Sequence, residues 1–220
     1  MYTRTQMRMG QGMSTRTDKK QQTRQNLIDA ALLLLSQQRS FDSLSLREVT
    51  REAGLAPNAF YRHFDDMADL GLALVDVAGQ TLRTVMREAR LKIESSESAI
   101  ETSIAAFFDH VVREPQLFHM LLREQVSGSE TWRRAIRTEI RYFTNELADD
   151  LERLGAAKGR PVHDPLNTAN AMVSITFNGV GNALAASDDD RQALASRLTL
   201  QLRMILLGSE RIARSQKQQR

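Results

Sequence analysis

Leu44-Ser45-Leu46-Arg47-Glu48-Val49-Thr50-Arg51-Glu52-Ala53-Gly54-Leu55-Ala56-Pro57-Asn58-Ala59-Phe60-Tyr61-Arg62-His63-Phe64 is the stretch whose reading decides the fold. Ser45 and Glu48 stand at the spacing of a capping box, in which each side chain satisfies the other residue's backbone N–H. A helix therefore starts after Ser45, and Val49 and Ala53 extend its apolar face. Gly54 ends it, because glycine takes the left-handed conformation of a tight turn at no steric cost. Pro57 opens the next helix, where its missing N–H has no intrahelical partner to lose. Helix, turn and helix fit within residues 45–64, the layout of a helix-turn-helix. In that motif the second helix enters the DNA major groove and the first crosses the backbone.

Helical geometry sorts the second helix into faces. Phe60 and Phe64 are four apart and share one side, which is assigned to the core. Asn58, Tyr61 and Arg62 fall on the opposite side. Asparagine can read adenine through N6 and N7, and Tyr, Arg and His suit phosphates or base edges.

Outward from this stretch the chain reads as helical throughout. Residues 1–16 lack an apolar period and predict a mobile basic arm. A helix is expected from about Asp18, with Thr17 as its cap and Leu27, Ile28, Ala31, Leu34 and Leu35 inward. Arg39 to Ser43 breaks the pattern and reads as a loop. Beyond the motif, amphipathic helices are expected over 67–93, 99–112, 117–122, 130–154, 165–186 and 190–207, with a loop from Gly155 to Pro161. No strand-like alternation and no internal repeat are present.

Composition supports this. Gly and Pro together are 15 of 220 residues (11 and 4), about 7% where average usage is about 12%. The net charge is only +3, but residues 1–64 hold 10 Lys/Arg against 5 Asp/Glu, while residues 65–220 hold 20 against 22. A basic front on a neutral body fits a nucleic-acid-binding end, although an ordinary basic tail has the same charge. The absence of cysteine excludes disulfides, thiolate metal sites and cysteine catalysis. The longest apolar run, Ala30 to Leu35, is far short of the ~18 residues of a membrane span. With no apolar signal core, the expected location is cytoplasmic, without membrane insertion.

Other chemistry-bearing residues read as structural. His110, His119 and His163 lack the close pairing of a helical zinc site. Asp188-Asp189-Asp190 reads as a solvated helix start. Gly179-Val180-Gly181 has neither the preceding strand nor the third glycine of a dinucleotide fingerprint. No catalytic residues, metal site or cofactor are expected, and the chain does not read as an enzyme.

The full string from Ser45 to Phe64 closely resembles the DNA-binding signature of the TetR family of bacterial repressors, most specifically in Ala53-Gly54, Phe60-Tyr61 and His63-Phe64. The resemblance implies DNA contacts from Arg47, Pro57, Asn58, Ala59, Tyr61, Arg62 and His63. It departs from the family where a lysine often stands near the start of the fourth helix, since this chain has Asp65-Asp66-Met67-Ala68-Asp69. Further segments, Arg39-Ser40-Phe41, Leu70-Gly71-Leu72, Leu121-Leu122-Arg123-Glu124 and Leu200 to Ile205, are similar to the FabR/DesT subgroup. That subgroup controls unsaturated fatty-acid synthesis or desaturase genes and senses long-chain acyl-CoA.

The expectation is an all-α homodimeric repressor. Residues 1–64 form the basic arm and helix-turn-helix domain, and residues 65–220 form a helical bundle for ligand binding and dimerisation. The DNA partner is a double-stranded palindromic operator. The effector is a long-chain acyl-CoA held by Phe107, Phe108, Val111, Phe118, Leu121, Leu122, Met172, Ile175 and Phe177. Arg123, Arg133, Arg134, Arg137 and Arg141 are candidates for its phosphates. Dimerisation is expected through residues 165–207, with Leu194, Leu198, Leu202 and Ile205 as its stripe. Two alternatives stay open: a repressor of an efflux or metabolic operon with another small apolar ligand, and a helical lipid carrier.

Overall fold

The computed structural model describes residues 6–35, 41–91 and 96–218. Among them every regular element is helical. The order is α1 (Gln6–Leu34), a single 3-10 turn (Phe41–Ser43), α2 (Leu46–Glu52), α3 (Pro57–Phe60), α4 (Met67–Leu91), α5 (Ser96–Arg113), α6 (Pro115–Ser127), α7 (Glu130–Ala157), α8 (Pro165–Asn178), α9 (Val180–Ala185) and α10 (Asp188–Gln218). No helix among these residues is long and apolar enough to cross a membrane. The chain forms two compact units, Met1–Leu74 and Val75–Arg220.

In the first unit the local signals act as read. Ser45 caps α2 with both halves of the capping box formed: its Oγ accepts from the Glu48 N–H and its own N–H donates to the Glu48 carboxylate at 2.9 Å. Gly54 takes φ +67 and Pro57 is the first residue of α3. Leu27, Ile28 and Ala31 of α1 and Leu35 just after it are buried, as are Val49, Phe60 and Phe64.

Two boundaries depart from expectation. α1 begins at Gln6 rather than near Asp18, so Thr17 lies inside a helix instead of capping one. No proline interrupts residues 6–34, and Met, Gln, Arg and Lys are good helix formers, so a missing apolar face does not end the helix. Residues 1–5 of the expected arm lie outside the described residues. So do Arg39 and Ser40 of the expected loop, whose remainder forms the 3-10 turn. α3 is also shorter than the expected reading helix. After Phe60 the chain tightens into i→i+3 bonds, Arg62 N–H to Ala59 and His63 N–H to Phe60, before the Phe64 N–H returns to Phe60.

The second unit is a helical bundle. α7 packs along α8, α10 lies on α5 and α8, and α9 closes against α5 and α6. The interior holds Leu82, Met86, Ile104, Phe107, Phe108, Val111, Phe118, Phe143, Met172 and Val173. The expected helix 165–186 is split at Gly179, where a β-carbon would press on Leu198 at 3.1 Å. The stripe assigned to a dimer face is corrected here. Leu194, Leu198 and Leu202 are buried in this chain's own core, and Ile205 packs beside them. The apolar side chains that α10 exposes are Leu200, Met204, Leu207 and Ile212.

The burial pattern separates two neighbouring aromatics. Phe64 is 2% exposed and Tyr61 is 62% exposed. Phe64→Ala is expected to destabilise the first unit by about 3–5 kcal/mol, whereas Tyr61→Ala should stay within about 0.5 kcal/mol. Denaturant titration checks both, and equal losses would contradict the assignment.

Candidate functional site

The first unit presents a cationic, polar face. Arg47 on α2 is exposed, as are Pro57, Asn58, Tyr61 and Arg62, while Ala59 and His63 are half-buried. All seven residues expected to meet DNA therefore keep some access to solvent. Phe60 and Phe64, ring centroids 5.5 Å apart, fix the opposite side of the same turn. Tyr61 stands edge-on to Phe60 at 5.7 Å and is largely exposed.

Residues of α1 join this face, a feature the motif alone did not show. The Arg24 guanidinium sits over the Phe64 ring at 5.0 Å, a cation–π contact that holds a long side chain in place. Lys20, one helical turn before Arg24, is exposed. The signal was present in the sequence as two cations four residues apart on the helix that precedes the motif.

His63 lies among these charges. Burial holds its imidazole below the ordinary value of 6.5, and the charges of Lys20, Arg24 and Arg62 lower it further. Its Nδ1 is shielded from solvent and has no hydrogen-bond partner among the described residues. The surroundings in the free protein thus disfavour the imidazolium, and a nearby anion favours it.

The second unit contains a cavity of about 850 Å³, within the 300–1,000 Å³ usual for small-molecule sites. Its apolar wall is built by Met86, Ile100, Ile104, Phe107, Phe143, Leu147, Leu151, Leu154, Val162, Met172, Val173, Leu202 and Leu206. On α7 the contributors Phe143, Leu147, Leu151 and Leu154 follow helical spacing, so one face of one helix forms a side of the chamber. Charged groups are also part of the lining: Arg87, Arg153, Lys158 and Arg160 against Glu146, Asp149, Asp150 and Glu210. Two pairs are already made, Arg160 with Glu210 at 2.8 Å and Arg153 with Asp150 at 2.5 Å. A second, smaller cavity of about 50 Å³ is lined by Phe118, Leu121, Leu122, Phe143, Phe177, Val180 and neighbours, with Gln125 and Glu139 as its polar groups.

The expected ligand residues distribute over these places. Phe107 and Met172 line the large cavity; Phe118, Leu121, Leu122 and Phe177 line the small one. Phe108 and Val111 are buried in the surrounding core, and Ile175 packs against it. Arg123, Arg133, Arg134, Arg137 and Arg141 line neither cavity. Arg133 and Arg137 instead hold Glu130. The cations at the large cavity come from α4, α7 and the segment after it. Lys158 and Arg160 stood in the expected Gly155–Pro161 loop, where helical periodicity has nothing to say.

Among known proteins, residues 27–74 match the family described as bacterial regulatory proteins, tetR family. Three solved structures share the fold. A fatty acid degradation regulator FadR from Bacillus halodurans superposes with a TM-score of 0.68 at 17% identity, covering 82% of this chain and 94% of that one. A TetR-family transcriptional regulator from Streptomyces coelicolor gives 0.69 at 18%, covering 91% and 95%. The regulator FadR from Bacillus subtilis, solved in complex with stearoyl-CoA, gives 0.66 at 15%, covering 83% and 97%.

The His63 environment sets a pH dependence with opposite signs for folding and for DNA. Its lowered pKa makes the unfolded chain the better proton acceptor, so its contribution to stability is present above 6.5 and declines as pH falls below it. Beside a phosphate the imidazolium is favoured instead. Operator affinity at constant ionic strength is therefore expected to rise as pH is lowered from about 8 to about 6. His63→Gln should flatten that rise, and Tyr61→Ala should weaken binding across the range. A fluorescence-anisotropy titration measures both, and a flat profile for the unsubstituted protein excludes proton uptake by His63 on DNA binding.

Proposed function

We propose that this chain, a TetR-family transcriptional regulator, represses genes of unsaturated fatty-acid synthesis or desaturation under the control of long-chain acyl-CoA. The observation that carries the reading is the large cavity, whose apolar wall is flanked by Arg87, Arg153, Lys158 and Arg160. An acyl chain needs such a wall, and phosphates need such cations. The Bacillus subtilis FadR complex supports it, because that protein of the same fold is named with stearoyl-CoA bound. The segments similar to the FabR/DesT subgroup support the choice of unsaturated over other fatty-acid genes.

DNA is read by Arg47, Pro57, Asn58, Ala59, Tyr61, Arg62 and His63, with Lys20 and Arg24 as further phosphate contacts. Two copies bind a palindrome with their reading helices about 34–36 Å apart. Dimerisation runs through residues 165–207. On α10 the exposed Leu200, Met204 and Leu207 lie at i, i+4 and i+7. On α8 the exposed Asn170, Ala171, Ser174 and Asn178 are small or polar and permit close approach. A ligand alters operator affinity only by binding two conformations unequally. The subgroup resemblance assigns tighter DNA binding to unsaturated acyl-CoA and release to saturated.

One observation favours a second reading. Glu146, Asp149, Asp150 and Glu210 stand at the same cavity, and carboxylates at an apolar chamber suit a cationic amphiphile. The protein would then regulate an efflux operon.

Operator titration with oleoyl-CoA and palmitoyl-CoA at equal concentration below micelle formation tests the preferred reading. The two are expected to shift affinity in opposite directions. Coincident curves defeat chain-shape sensing, and a response to a quaternary ammonium amphiphile alone selects the second reading. Separately, Leu200→Glu with Met204→Glu is expected to yield a monomer by sedimentation and to reduce operator affinity with it. A dimer that survives both charges places the interface elsewhere.

A further inference from the structure

The two cavities share one lining residue of particular shape, Phe143. Its ring meets Phe177 edge-on at 6.1 Å, Phe177 lies tilted on Phe107 at 5.6 Å, and Phe107 meets Phe118 edge-on at 6.3 Å. Phe107 borders the large cavity, while Phe118 and Phe177 border the small one. A continuous run of aromatic contacts therefore lies along the boundary between them. Aromatic rings turn as rigid plates about two torsions, so a partition of this kind opens by rotation of one ring rather than by movement of a helix.

The small cavity is apolar over most of its wall, and such voids are costly to keep. Its size of about 50 Å³ compares with the roughly 10–15 Å³ that one water needs by the same measure. It thus has room for a few groups of methylene size. Its polar side is closed by Glu139, which is paired with Arg83 of α4. Arg83 also reaches Glu146, part of the large cavity's lining, at 3.8 Å. Gly79 leaves the space that the Glu139 carboxylate occupies.

We infer that the small cavity is the end subsite for the tail of a long apolar ligand and that Phe143 is the partition that admits it. This rests on the acyl-CoA reading above. A chain short enough to end in the large cavity leaves Phe143 in place. A longer straight chain turns the ring, enters between Phe118 and Val180, and arrives beside Glu139 and its Arg83 partner. Chain length is thereby read at α4, through the side of Glu139 on which Gly79 packs.

Titration calorimetry of the full-length protein with decanoyl-CoA and stearoyl-CoA tests this, with the ratio of the two affinities as readout. Leu122→Trp fills the small cavity, and the stearoyl-to-decanoyl ratio is expected to fall by about 15- to 60-fold, the loss of two to three buried methylenes. Phe143→Ala removes the partition and is expected to raise that ratio. It also decides the matter if Leu122→Trp does not fold, as judged by circular dichroism. Ratios within about twofold of the unsubstituted protein in the folded variants overturn the subsite while leaving the acyl-CoA reading intact. Failure of the unsubstituted protein to bind either ester overturns both.

Discussion

A helix of four residues has no stability of its own, since nucleating a helix is unfavourable and short segments gain few bonds in return. α3 holds its place because Phe60, its last residue, and Phe64, in the turn that follows, are both buried. Everything proposed for DNA recognition depends on that anchoring. The same turn that drives two aromatic rings inward directs Asn58, Tyr61 and Arg62 outward. The capping box sets where α2 begins and Gly54 where it ends, and Pro57 sets where α3 begins. Arg24 then covers the face of the Phe64 ring and brings charge to the same surface. Core burial and surface electrostatics are consequently two sides of one contact.

The second unit answers a different constraint. A bundle gains stability by filling its interior, yet this one retains a chamber of about 850 Å³. Its walls are packed outside the chamber by Phe108, Val111, Leu194 and Leu198, all nearly inaccessible. The void is therefore bounded by a filled core and is not a sign of loose packing. α7 supplies both the apolar side of the chamber and, through Glu146, Asp150 and Arg153, part of its charge. A single long helix with its two characters at adjacent faces is enough to make an amphipathic site.

The helix-turn-helix was legible in the sequence because every feature that defines it is local. Ser45 and Glu48, Gly54, Pro57, and the Phe60–Phe64 spacing each act within a turn or two of chain. The chamber was not legible, because it depends on which apolar residues fail to meet a partner. Phe107 and Phe108 are adjacent and equally apolar, yet one borders the cavity and the other is packed away from it. α10 shows the same difficulty on a larger scale. It carries two apolar stripes, Leu194-Leu198-Leu202 and Leu200-Met204-Leu207, and periodicity alone cannot say which one the chain buries against itself. The first stripe is buried in this chain's own core, and the second is left exposed. The early start of α1 has a related cause, since an apolar period reports burial and not helicity.

The ion pairs at the chamber constrain how an anionic ligand can act. Glu210 is 9% exposed at its side chain and is held by Arg160, with Arg214 a further 3.8 Å contact. Removing one member of a shielded pair leaves an uncompensated charge, which costs more than the pair itself contributes. A phosphate that recruits Arg160 must therefore share the guanidinium with Glu210 or force Glu210 to a new partner. Glu210 belongs to α10, the helix that also bears Leu200, Met204 and Leu207. Under the acyl-CoA reading, headgroup binding then cannot be a passive addition of contacts, because it is tied to the electrostatic state of the helix proposed to join two copies. On that reading the acyl tail is placed at α4 and the headgroup at α10, so the two ends of one ligand act on different helices of the same bundle.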